Sequence, residues 1–175
     1  VIFEDVHIPA SALIGKEGEG FKIAMKTLEQ GRASVGSACV GIMRAILEEA
    51  AKYAQVRITM GKPIYKQQAI SAKLADMQIA IETSRAIGMK VAALLDAGDP
   101  GAAALGPIAK CYCSDALNRV ATEGVQILGG YGYMRDYPME KYMRDAKIFQ
   151  IFEGTNEIQR VVIGGDVVRK YKVEK

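Results

Sequence analysis

The sequence contains no tryptophan and a single histidine, His7. It has three cysteines, Cys39, Cys111 and Cys113, an odd number that leaves at least one thiol outside any internal disulfide. The cysteines also lack the Cys-x-x-Cys spacing typical of zinc sites, so we expect no protein metal site. Their apolar or small neighbours predict buried thiols in a reducing, intracellular compartment, either bacterial cytoplasm or mitochondrial matrix.

The chain also lacks a dominant charge. It has 23 Lys and Arg against 20 Asp and Glu, and both signs are mixed throughout. The one-signed basic stripe that favours nucleic-acid binding is missing. Apolar runs are short as well: none reaches the ~20 residues that span a bilayer, and no signal peptide is visible. We therefore expect neither a nucleic-acid partner nor a membrane.

What the sequence does contain is a helical hydrophobic pattern that starts at Phe21. In the first long segment, Val35, Ile42 and Ile46 recur at steps that place them on one helix face. Breakers at Gly61, Pro63 and 98–101 divide the pattern. The predicted helices span about 21–58, with a continuation or kink at Gly31, then 65–97, 101–128, a short segment from Pro138 to Asp145, and 155–168. These lengths and short loops predict an all-α, antiparallel four-helix bundle.

The first residues have a different pattern. Val1–Pro9 is β-branched and partly alternating, which predicts one strand closed by Pro9. A single strand needs partners, so we expect them in an upstream β domain. Gly15–Gly20 has the wrong glycine order for a dinucleotide fingerprint, and its two acids would repel phosphate. We therefore assign residues 1–15 to the end of a β domain and its linker, and residues 16–175 to the helical domain.

One carboxylate stands out. Glu153 lies between Phe152 and Gly154, just before Thr155 and a predicted helix start. This position holds the side chain at the mouth of a helix, with no bulky neighbour on one flank. It suits either a helix cap or a group that meets a ligand.

Several motifs occur together in a fixed order. They are Leu28-Glu29-Gln30-Gly31-Arg32, Arg57-Ile58-Thr59-Met60-Gly61, Gln67-Gln68-Ala69-Ile70, Val125 to Tyr133, Tyr137 to Lys141 with Arg144-Asp145, and Phe152-Glu153-Gly154-Thr155. In order and spacing they resemble the acyl-CoA dehydrogenase family, over essentially the whole chain. The resemblance implies the C-terminal bundle domain of a flavoenzyme that also has an N-terminal helical domain and a middle β domain.

The resemblance also implies roles for individual residues. In such enzymes FAD accepts a hydride from the β carbon of an acyl thioester while a glutamate removes the α proton, and Glu153 matches that base. Some members carry the base on the first long helix, at the position of Gly31, and glycine cannot act as a base. The expected substrate contacts are Glu29, which replaces a more common aspartate, together with Arg32, Phe152 and Gly154.

The resemblance implies FAD as the cofactor, contacted by Arg57, Thr59, Gln67, Gln68, Gln126, Ile127, Leu128, Gly129, Gly130, Thr155, Asn156 and Glu157. In the family several of these groups reach FAD held by a neighbouring subunit, so a homodimer or homotetramer is expected. The expected reaction is α,β-dehydrogenation of a short or medium acyl-CoA to the trans-2-enoyl-CoA, with electrons passed to an electron-transfer flavoprotein. Three alternatives stay open: an acyl-CoA oxidase, a dehydrogenase of cyclic or aromatic acyl-CoAs, and an inactive helical oligomerisation module.

Overall fold

The computed structural model describes residues 1–173, except for the side chains of Glu29 and Ala33. Three long helices dominate it: α1 (Gly20–Val56), α2 (Gln68–Asp96) and α3 (Gly101–Leu128). The shorter helices are α4 (Gly130–Tyr133), α5 (Met139–Ile148) and α6 (Asn156–Lys170). Strands β1 (Ile58–Thr59) and β2 (Lys62–Pro63) form an antiparallel hairpin, and two 3-10 turns occupy Ala10–Ala12 and Ile64–Lys66.

The core lies where α1, α2 and α3 pack against one another. Short connections make consecutive long helices antiparallel. Met43 and Ile46 of α1, Met77 and Ile81 of α2, and Leu117 of α3 are almost completely buried there. Burying a side chain of this size contributes about 1.5–3 kcal/mol. Helices α5 and α6 both pack on α3, so the prediction of an all-α helical domain is confirmed.

The connection between α1 and α2 is more structured than predicted. Helix α1 continues through Gly31 and ends at Val56, slightly before the expected residue 58. A tight hairpin follows, because Met60 and Gly61 both adopt positive φ, 50° and 74°. Two such residues in succession match the turn geometry that twisted hairpins favour. The hairpin and the following 3-10 turn delay the start of α2 to Gln68.

No strand forms over Val1–Pro9 within the described chain. The expected partners of this strand belong to an upstream β domain, so the strand stays a prediction. No described segment lies beside these residues as a strand, so their backbone groups have no ladder to join. The side chains of Ile2 and Phe3 are 85% and 79% exposed. Residues 15–19 lead from this segment into α1 as a loop, as predicted, and Gly20 is the first residue of the helix.

The remaining boundaries follow the predictions closely. Helix α3 ends at Leu128, where Gly129 has a φ of 61°. The glycine-rich segment after it, however, forms the extra turn α4. All three cysteines are free and buried, as predicted. Among the described residues no helix is both long and apolar enough to cross a membrane.

Candidate active site

The loop between α5 and α6 carries Glu153 in an unusual backbone conformation. At the start of the loop, the N–H of Phe152 donates to the carbonyl oxygen of Ile148 at 3.0 Å. Glu153 and Gly154 then adopt successive positive φ angles of 58° and 85°. L residues other than glycine rarely adopt this region, which costs about 1–3 kcal/mol. The surrounding contacts must therefore hold Glu153 in place.

The carboxylate of Glu153 lies against α1 at Gly31. A Cβ atom at Gly31 would lie 2.7 Å from Oε2 of Glu153 and 3.3 Å from its carboxyl carbon. No described residue forms a hydrogen bond or ion pair with this half-buried carboxylate. A side chain at position 31 would therefore overlap the Glu153 carboxylate. Glycine at this position leaves the volume to the carboxylate.

Arg32 follows Gly31 on α1 and brings an unsatisfied donor. Its Nε is buried and has no hydrogen-bond acceptor among the described residues. A buried donor without an acceptor costs about 1–3 kcal/mol, so an oxygen atom of a ligand would be stabilising here. Phe152, on the loop, is 38% exposed and packs edge-to-face on Phe149, with ring centroids 5.1 Å apart. The substrate contact predicted for Glu29 lies outside the described side chains.

A second group of predicted residues surrounds a cavity of about 620 Å³ at the far end of α1. The guanidinium carbon of Arg57 lies 6.0 Å from the ring centroid of Tyr131, and Nε2 of Gln67 donates to Oγ1 of Thr59 at 2.8 Å. Gly129 and Gly130 leave open space where a Cβ would stand. The predicted residues that line the cavity are Arg57, Thr59, Gln67, Ile127, Leu128, Gly129 and Gly130.

Two of the predicted cofactor residues lie outside this cavity. Gln68 and Gln126 are exposed and do not line it, and their contact with a cofactor stays a prediction. Its wall includes five residues that the sequence analysis did not select: Tyr53, Ile64, Ile70, Tyr131 and Met134. Tyr53 and Ile70 are at core-facing positions of the helical pattern, and Tyr131 lies inside the glycine cluster. That cluster was the available signal for Tyr131.

The two groups are far apart within one chain. Gly31 lies in the first third of α1 and Arg57 directly follows its end, and a helix rising ~1.5 Å per residue separates them by roughly 40 Å. The Glu153 loop and the Arg57 cavity are therefore two separate places on one chain.

The start of α6 holds the last three predicted cofactor residues. Oγ1 of Thr155 accepts the N–H of Ile158 at 3.3 Å and caps the helix. Glu157 is exposed, and hydrogen bonds from its own backbone and from Thr155 lower its pKa. Together with Asn156 these residues line a separate cavity of about 260 Å³.

Asn156 is buried and its amide is already used within the bundle. Its Oδ1 accepts from Nζ of Lys110 at 2.6 Å, while Nδ2 donates to Oγ of Ser114 and Oδ1 of Asp115 at 2.8 and 2.7 Å. Burial lowers the pKa of Lys110, which is completely enclosed. In this chain the Asn156 side chain fastens α6 to α3. Its contact with a cofactor stays a prediction, as it does for Thr155 and Glu157.

Comparison with known proteins decides the family. The family model described as the acyl-CoA dehydrogenase C-terminal domain matches residues 18–167. The chain belongs to the acyl-CoA dehydrogenase family. It is 48% identical over 169 residues to the short-chain specific acyl-CoA dehydrogenase of Megasphaera elsdenii, covering 97% of this chain and 44% of that protein. The chain thus spans less than half the length of this curated relative.

Solved structures agree with this family assignment. The butyryl-CoA dehydrogenase of Megasphaera elsdenii has a TM-score of 0.90 and 49% identity, with 96% of this chain and 44% of that chain covered. A structure described as the electron transferring flavoprotein of Acidaminococcus fermentans has a TM-score of 0.91 and 46% identity, with 96% of this chain and 44% of that chain covered. The Bacillus anthracis acyl-CoA dehydrogenase complexed with FAD has a TM-score of 0.87 and 33% identity, with 97% of this chain and 32% of that chain covered.

Proposed function

We propose that this chain is the C-terminal domain of an FAD-dependent acyl-CoA dehydrogenase that oxidises short or medium acyl-CoA thioesters to trans-2-enoyl-CoA. The observation that carries the proposal is the Glu153 carboxylate, which lies against Gly31 and pairs with no described residue. The proposed length of the substrate's acyl chain is supported by relatives whose names specify short-chain acyl-CoA or butyryl-CoA.

The residues present fit FAD. Bound FAD supplies the acceptor for the hydride that leaves the β carbon of the substrate. Arg57 offers a fork of donors suited to paired phosphate oxygens, and Gly129 and Gly130 let a ligand approach the backbone closely. Arg32 contributes a buried Nε that lacks an acceptor.

Glu153 performs the proton transfer in the proposed mechanism. Its carboxylate accepts the α proton of the thioester, and no described side chain competes for it. An acyl chain between α1 and the loop would exclude water, which strengthens the electrostatic interactions inside the site. Phe152 offers its exposed ring as a packing surface for that chain.

The backbone N–H of Glu153 fits a second role. It donates to no acceptor among the described residues. An N–H aimed at the thioester carbonyl stabilises the negative charge that develops on this oxygen as the α proton leaves. One loop would then supply both the base and the donor.

The proposed assembly is a homodimer or a homotetramer built from dimers. The separation of roughly 40 Å along α1 supports it, because FAD beside Glu153 of one subunit would leave the Arg57 cavity of that subunit to the FAD of a neighbour. We propose an electron-transfer flavoprotein as the electron acceptor, which the neighbour structure of that description supports. We also propose that residues 1–15 pack on a β domain, which would cover the exposed Ile2 and Phe3.

The decisive experiment is Glu153→Gln in the full-length protein. Flavin content should match wild type, because the amide preserves the shape of the side chain. Bleaching of the flavin absorbance by butyryl-CoA without oxygen should slow by at least about a hundredfold, because the general base is lost. Re-oxidation of the reduced wild type by an electron-transfer flavoprotein, faster than by oxygen, would support that partner.

Glu48→Gln is the matched control. Glu48 is exposed on α1 and pairs with Lys52 one turn away, far from the loop. This variant should bleach at the wild-type rate. Bleaching of the Glu153→Gln variant at that same rate would exclude Glu153 as the base.

A further inference from the structure

Gln159 is a buried amide beneath the Glu153 loop. It lies on the first turns of α6, on the same face as Asn156, and its side chain is completely buried. Its Nε2 donates to the carbonyl oxygen of Glu153 at 3.3 Å and to that of Gly154 at 3.1 Å. One side chain thus binds the carbonyls of both residues with positive φ.

The loop and Gln159 fit each other closely. A Cβ atom at Gly154 would lie 2.6 Å from Nε2 of Gln159. Glycine at position 154 therefore does two things: it permits a φ of 85°, and it leaves room for the amide that holds the loop.

The carboxylate of Glu153 depends on this backbone for its position. No described residue hydrogen-bonds the carboxylate, so the backbone of residue 153, which sets the direction of its Cα–Cβ bond, is the part of Glu153 that described contacts hold. Rotating the peptide groups on either side of Gly154 would release the two carbonyls from Gln159. If the φ of Glu153 then relaxes from 58° toward the negative values that L residues prefer, its Cα–Cβ bond turns and the carboxylate moves away from Gly31.

We infer that Gln159 is a positioning residue for proton abstraction: its amide locks the left-handed Glu153-Gly154 backbone and so aims the Glu153 carboxylate at the substrate. This inference rests on the proposed function of Glu153. Gln159 is fully enclosed, and it acts through the loop carbonyls that it binds.

The test is Gln159→Met in the full-length protein, which keeps the side-chain length and removes both donors. Small misplacements of a reacting group cost on the order of 10–100-fold in rate. We expect kcat with butyryl-CoA to fall by about that factor while KM and flavin content stay near wild type. Substrate deuterated at the α carbon should give a larger isotope effect, because proton removal has become slower.

A second readout needs no turnover. Backbone amide hydrogen exchange, followed by mass spectrometry, should accelerate in the peptide that contains residues 152–155. Gln55→Met is the matched control, because it makes the same substitution at an exposed amide near the other end of α1, where Nε2 of Gln55 donates to the carbonyl oxygen of Ala51 at 3.1 Å. It should leave the isotope effect and loop exchange unchanged.

The outcomes separate this inference from the proposed function. If Glu153→Gln stops the reaction while Gln159→Met keeps the wild-type kcat, isotope effect and loop exchange, the positioning role is wrong and the base assignment stands. If Glu153→Gln leaves the reaction intact, the base assignment itself fails. Should Gln159→Met not fold, Gln159→Asn replaces it, because the shorter amide cannot reach both carbonyls. Wild-type behaviour of Gln159→Asn would overturn the inference.

Discussion

At the residue scale, two glycines control where one carboxylate stands. Gly31 leaves space for the end of the Glu153 side chain, and Gly154 leaves space for the amide of Gln159. Neither glycine is explained by its own local helix or turn alone. Each is matched to a side chain that arrives from another part of the fold.

Gly31→Ala should separate stability from activity. Alanine raises helix stability by up to ~1 kcal/mol over glycine, and the displaced group is only the flexible end of Glu153. Thermal stability should therefore stay level or rise slightly. The new methyl would push the carboxylate from its position, so bleaching by butyryl-CoA should slow by about 10–100-fold.

Gly41→Ala on the same helix provides the comparison for this prediction. A Cβ at Gly41 meets no atom within 4 Å. The variant should gain a similar amount of stability and keep the wild-type bleaching rate. Equal rates for the two variants would show that the space at Gly31 does not matter to the reaction.

At the element scale, a polar network fixes α6 onto α3 and so helps to position the loop that carries Glu153. Asp115 of α3 receives hydrogen bonds from Gln150, Asn156 and Arg160. Burial by itself would raise the pKa of Asp115, but the hydrogen bonds from Gln150, Arg160 and Asn156 outweigh burial and lower it. The ionised carboxylate is thus favoured by folding.

Asp115→Asn should make the fold less stable in a pH-dependent way. A carboxyl group whose pKa is lowered in the folded state stabilises the fold above its unfolded pKa, near 3.8, and this contribution is lost as pH falls through the lower folded value. With solvent screening allowed for, the variant should lose roughly 1 kcal/mol at neutral pH. The difference from wild type should shrink below pH 3.8.

Urea unfolding followed by circular dichroism at neutral and acid pH measures this effect. Asp136→Asn is the control, because Asp136 is exposed and bonds no described residue. It should follow wild type at both pH values. A loss of stability in Asp115→Asn that is the same at both pH values would assign the network a role independent of charge.

At the scale of the whole molecule, the central core encloses the thiols. Cys39 and Cys113 are 0% exposed, and Cys111 is 7% exposed. Burial, with a smaller effect from Cys113, raises the pKa of Cys39 to about 12, from an ordinary value of 9.0. Burial likewise raises the pKa of Cys111 and of Cys113.

Alkylation by iodoacetamide at pH 8 should therefore reveal the packing. Only the thiolate reacts, so the pKa of Cys39 alone slows its reaction about a thousandfold. Peptide mapping should find Cys39 and Cys113 unmodified in the folded protein, Cys111 modified slowly, and all three modified in denaturant. Rapid labelling of Cys39 in the folded protein would contradict the packed core.

Much of the fold was predictable because helices are local. The apolar stripe through Val35, Ile42 and Ile46, together with the breakers at residues 98–101, predicted the long helices to within a few residues. The hairpin Ile58–Pro63 and the turn α4 were not predicted. Their glycines are equally compatible with an irregular loop that ends a helix, so the sequence could not distinguish a structured turn from such a loop. The Val1–Pro9 strand stays a prediction, because a strand pattern does not supply the partner strand on which it depends.

The sequence by itself determined the helices, the family resemblance and the choice of Glu153, since these depend on residue types in a linear order. Only the tertiary structure decided that Glu153 points at Gly31, that Gln159 holds the loop, and that the Arg57 cavity lies at the other end of α1. The first and third features depend on how distant segments of the chain pack. The second depends on positive φ angles, which residues other than glycine rarely adopt. Local patterns carry no information about either.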